Sequence, residues 1–109
     1  MSFGPATPVC LQPSATLVRW RVFETERGER HFAGYCIESG HGRVTSAIVS
    51  FDPQTAVGVS SSGRAYQLRG QSEFDDDADY VWVLWSLYNQ VEWSKDVSHE
   101  YRALDVGES

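Results

Sequence analysis

The sequence predicts an α+β domain: a curved antiparallel β-meander of about five strands, a partly open barrel-like sheet, packed by one α-helix in the C-terminal half. Three observations carry this prediction. Between residues 16 and 69, short runs rich in β-branched and aromatic residues are separated by turns containing Gly, Ser or Pro. At Asp75–Asn89 the pattern changes to a helical one, with four carboxylates set before two tryptophans, two tyrosines, two valines and two leucines. The chain has 109 residues, 41% of them apolar and 13% aromatic, which suffices for one core and is too short for two.

Residues 1–15 carry Pro5, Pro8 and Pro13 and read as a flexible arm. The domain proper is expected over residues 16–101, with residues 102–109 a frayed tail. The first strand runs from Thr16 to Glu24. Alternation places Val18, Trp20 and Val22 on its inner face and Arg19 and Arg21 on the other. Glu26–Arg30 forms a turn in which Gly28 is free to adopt positive φ. Arg30–Glu38 is then the hairpin partner, with Gly34 marking a bulge or a close backbone approach. After the Ser39–Gly42 turn, Arg43–Phe51 reads as a third strand, closed by Pro53, which lacks the amide donor a ladder needs. Short strands follow at Ala56–Ser60 and Arg64–Arg69, the latter with Tyr66 and Leu68 inward.

The helix opens with Asp75, Asp76 or Asp77 as its cap, and Asp79 adds favourable charge near the N-terminal amides. Ala78, Val81, Trp82, Trp85 and Tyr88 share one face, while Tyr80, Val83, Leu84 and Leu87 cover much of the rest. One face can cover the sheet. The second needs another partner, and Trp93 and Val97 are expected to cover part of it.

Charge is divided along the chain. Residues 1–69 hold seven arginines against five carboxylates, and residues 70–109 hold Lys95 and Arg102 against ten, giving +2 and −8 of the total −6. The absence of concentrated positive charge weighs against non-specific binding to nucleic acid or to an anionic membrane. No run approaches 18 apolar residues and no secretory signal is evident, so a cytoplasmic protein is the expectation. Of the two cysteines, Cys36 is expected as a buried free thiol.

Chemistry is hard to find. Cys36 and His41 form the one local thiol–imidazole pair, without a catalytic signature around them. Cys10, His31, Cys36, His41 and His99 are too scattered for a metal site. The aspartates lack the glycine and terminal glutamate of a calcium loop, and Gly58, Gly63 and Gly70 lack phosphate-loop spacing. The expectation is therefore no catalytic residue, no metal and no cofactor.

The reading that remains is a non-enzymatic protein-interaction or regulatory domain. Tyr80, Val83, Leu87 and Trp93 would anchor a protein partner, and Asp75, Asp76, Asp77 and Asp79 would steer a basic one; self-association as a homodimer would use the same face. The alternative is a nucleic-acid-binding sheet. It would use Arg19, Arg21, Arg43 and Arg64, with Trp20, Phe32, Tyr35 and Tyr66 as a stacking platform.

Overall fold

The computed structural model describes residues 13–101; the N-terminal arm up to residue 12, with Cys10, and the tail 102–109 lie outside the described residues. The strands are β1 (Ser14–Thr25), β2 (Arg30–Cys36), β3 (His41–Val44), β4 (Ile48–Asp52), β5 (Val57–Ser60), β6 (Ala65–Leu68) and β7 (Ser94–Asp96). The helix α1 spans Asp76–Tyr88, and a 3₁₀ turn at Ser98–Glu100 follows β7. The sheet order is β3-β2-β1-β6-β5-β4, with β7 added to the far end of β1. All pairs are antiparallel except β1–β6, so two meanders are joined by one parallel seam. This is the expected α+β fold, and the sheet is not closed into a barrel.

Two expectations about strand limits change. The parallel seam begins at Ser14↔Ala65, so β1 takes in Ser14 and Ala15, which composition had assigned to the arm. The expected third strand breaks into β3 and β4 at Thr45. That residue is buried, its amide donates to the carbonyl of Phe32 (3.0 Å) and its hydroxyl accepts from the Phe32 amide (3.1 Å). Hydrogen bonds that would extend β3 instead hold a corner. The chain then turns away into β4.

A bulge in β1 reorganises its two faces. The register runs Val18↔Tyr35 and then Arg21↔Ala33, leaving Arg19 and Trp20 together opposite Gly34. Arg19 takes positive φ (44°), and a Cβ on Gly34 would lie 3.0 Å from the Cβ of Trp20, so glycine is what lets the bulged strand approach. One extra residue reverses the alternation. Ala15 and Leu17 therefore join Trp20 and Val22 in one core, while Val18 drops out of the set expected from simple alternation and is half-buried.

That core is centred on Phe32, fully buried, with ring contacts to Phe51, Tyr66 and Tyr101. The Phe32 ring rests on Gly58, where a Cβ would stand 2.4 Å from its Cζ atom. Val97 also enters this core. Its amide donates to the Val22 carbonyl (2.8 Å), and the Val22 amide donates to Ser98 Oγ (2.8 Å). Pairing of β7 with β1 thus carries Val97 away from α1, and it does not cover the helix as expected. Across the sheet, Phe23, Ala33 and Trp82 form a second core, with Val44 and Trp85 packed against it.

A methyl group at position 58 has no room, because the ring it meets is enclosed on every side. Gly58→Ala is expected to destabilise the fold by about 1–3 kcal/mol in urea unfolding. In the double variant Gly58→Ala/Phe32→Leu the cost should fall well short of the sum of the two single changes.

Candidate functional site

The helix begins where it does because Asp75 caps it. Its backbone is extended, and its Oδ2 accepts from the amide of Ala78 (3.0 Å). The same carboxylate accepts from Arg19 Nε through Oδ1 (2.7 Å), and the Arg19 guanidinium lies 5.1 Å above the Tyr35 ring. One turn on, Asp79 accepts from Arg21 Nη2 (2.9 Å). Arg21 is held between Phe23 and Phe74, with ring distances of 4.8 and 5.3 Å. Burial raises the pKa of Asp75, but its hydrogen bonds from Arg19 and the Ala78 amide outweigh that cost, and the carboxyl sits below its ordinary value.

The first turn is also pressed onto β3. A Cβ at Gly42 would come within 2.5 Å of the carbonyl oxygen of Asp77, so only glycine allows this approach. Beyond it an aromatic ladder seats the inner face of α1. Phe23 stacks on Trp82 (4.6 Å), Trp82 on Trp85 (5.3 Å), and Trp85 meets His31 (4.5 Å). His31 is buried, its Nδ1–H donates to the Thr45 carbonyl (2.9 Å), and its Nε2 has no hydrogen-bond partner. Burial pushes its pKa down, and the Thr45 carbonyl and Glu29 only partly offset this.

The far end of α1 closes in a Schellman arrangement. Gln90 takes positive φ (57°), its amide donates to Leu87, and the amide of Val91 donates to Ser86. Arg27 Nη2 donates to the carbonyls of Asn89 and Gln90 there.

These contacts divide the candidate residues. Asp75 and Asp79 are committed to Arg19 and Arg21, so members of the two proposed sites neutralise one another. Asp76 and Asp77 are exposed, with no cationic partner among the described residues. On the outward face Tyr80 is 65% exposed, Val83 47% and Leu87 72%, and Trp93 is 52% exposed in the segment beyond. Tyr88, expected on the inner face, is instead exposed; α1 packs on β3 and β2. Arg64 is buried and Arg43 half-buried. Of the aromatics, Trp20, Phe32 and Tyr66 are core and Tyr35 lies under Arg19.

Sequence reasoning missed the pairing of Arg19 and Arg21 with Asp75 and Asp79. A signal existed: two residues along a strand and four along a helix both cover about 6–7 Å. It also missed the His31–Trp85 contact and exposed Phe74, for which periodicity offers no sign. Cys36, a buried free thiol, and His41 are register partners. Even so, the thiol lies 3.7 Å from Glu38 Oε1, while the ring of His41 donates to the Gly42 carbonyl. Among the described residues no group of three or more His, Cys, Asp or Glu is placed to hold a metal ion, and no helix is long and apolar enough to cross a membrane.

Asp75→Ala removes both the cap and the Arg19 contact, and should cost about 1–2 kcal/mol in chemical denaturation. Asp75→Asn keeps an acceptor for the Ala78 amide and should cost less. The pH dependence has a defined sign. The unfolded chain protonates His31 near its ordinary pKa of 6.5, and the folded chain does so only at lower pH. Stability is therefore full above that value and declines as the pH falls below it. Unfolding free energies measured from about pH 8 to about pH 5 should show this decline, and His31→Gln should flatten it.

Compared with known proteins, the chain matches no protein-family model, and neither a curated protein nor a solved structure resembles it at a significant level.

Proposed function

We propose that this chain is a non-enzymatic protein-interaction domain whose contact surface is the outward face of α1. The observation that carries the reading is the exposure of Tyr80, Val83 and Leu87 on successive turns of one helix. Scattered apolar residues on a surface need no explanation, but a stripe at i, i+3 and i+7 does. A helix that served only to cover the sheet would present polar residues there. The stripe has the composition of an interface centre, with aromatic and aliphatic anchors, and carboxylates stand beside it as a rim.

The alternative reading, a sheet that binds nucleic acid, is less well supported. Arg19 and Arg21 already spend their charge on Asp75 and Asp79, and the aromatics proposed for stacking are largely enclosed. Binding of that kind depends on uncompensated positive charge.

The test places a photo-crosslinking residue at position 87 and, in a second protein, at Ser50 on edge strand β4. In native lysate, position 87 is expected to yield a discrete protein adduct and position 50 none. Adding Val83→Asp should abolish the adduct while changing folding stability by no more than about 0.5 kcal/mol, since the side chain is exposed. Equal labelling from both positions, or none from position 87, overturns the proposal.

A further inference from the structure

Resting on the reading of the α1 face as an interaction surface, we infer that its occupant is a cationic amphipathic segment of another protein, not a second copy of this chain. The helix contains no Lys, Arg or His anywhere in Asp76–Tyr88, and three of its first four residues are aspartates. Three cations beside the helix are already used, Arg19 by Asp75, Arg21 by Asp79, and Arg27 by the carbonyls of Asn89 and Gln90, and Arg43 on β3 is half-buried. Among the described residues the carboxylates of Asp76, Asp77 and Glu92 lack a cationic partner; Asp76 and Asp77 open the helix, and Glu92 follows its C-terminal cap in the chain.

A second copy docked through the same helix face does not satisfy these charges. Parallel helices would set Asp76 and Asp77 against their own counterparts. Antiparallel helices would set them against the C-terminal end of α1, which has no basic residue in its last turn and where Arg27 is already held by the carbonyls of Asn89 and Gln90 and by Glu26. Neither arrangement brings a basic residue of the helix to Asp76 and Asp77, on a chain whose net charge is −6. A segment with Lys or Arg at one end and apolar side chains along one face meets both requirements. From Asp77 to Leu87 the helix rises about 15 Å, which sets the length of segment needed at about ten residues if helical. Its cations would lie over Asp76 and Asp77, and its apolar side chains over Tyr80, Val83 and Leu87.

The test uses three synthetic helical peptides of about 15 residues, long enough to span the face. One carries leucines along a single face with lysines at one end, the second has glutamates in place of the lysines, and the third has serines in place of the leucines. Binding to the full chain is followed by tryptophan fluorescence near physiological salt, and sedimentation gives the size of the chain alone. The lysine–leucine peptide should bind at least about tenfold more tightly than either other peptide, and Asp76→Asn/Asp77→Asn should weaken it about fivefold or more. Leu87→Asp should abolish binding although it adds negative charge, an outcome that attraction to an acidic protein alone would reverse.

Equal binding of the lysine and glutamate peptides would overturn the inference and leave the α1 face as an interaction surface. So would a concentration-dependent dimer that Leu87→Asp dissolves. Equal binding of the serine peptide, or no binding by any peptide, overturns the inference as well. Binding that Leu87→Asp leaves unchanged would sink both the inference and the reading beneath it.

Discussion

The bulge at Arg19 and Trp20 is the constraint on which the rest of this structure depends. A regular strand there would send Trp20 and Val22 to the face opposite Leu17 and divide the main core. With one extra residue, both parts of β1 feed the same core. The same reversal delivers Arg21 and Phe23 to the other face, where α1 lies. Gly34 is the permissive element, because any side chain there would meet the bulged backbone. One local irregularity thus decides what each side of a long strand does.

Helix docking then separates into energy and register. The stack from Phe23 through Trp82 and Trp85 to His31 removes large apolar surfaces from water and supplies the driving force. The ion pairs of Arg19 and Arg21 are partly solvated, and water screens pairs of that kind, so they contribute less to stability. Their effect is positional. Together with the close approach at Gly42, they fix where along β1 and β3 the first turn of α1 sits. Rotating the helix would break both pairs and unstack Trp82.

Because that docking is so specific, the exposure of the opposite face follows from it. The side chains that seat α1 are Ala78, Trp82 and Trp85, and helical geometry leaves Tyr80, Val83 and Leu87 pointing away. Among the described residues, the chain beyond the helix offers no cover. Its Val97 is drawn into the main core by β7, and Trp93 stays exposed. The proposed function rests on this uncovered stripe more than on the aspartates, two of which serve the fold.

Much of the fold was legible in the sequence. Alternation and turn residues marked the strands, and the caps and period of Asp75–Asn89 marked the helix, because these signals are local and depend on backbone geometry that neighbouring residues set. The apolar stripe was legible for the same reason. What only the tertiary structure decided was which partners those residues meet. The parallel seam between β1 and β6, the corner at Thr45, and the engagement of Arg19 and Arg21 by Asp75 and Asp79 join residues far apart in the chain. No local pattern encodes such pairings, since they arise from competition among all the faces that need burial at once. The sequence alone determined that one helix would carry two apolar faces. Only the folded chain decided which one it buried, because a single bulge set the side of the sheet on which Phe23 waits for Trp82.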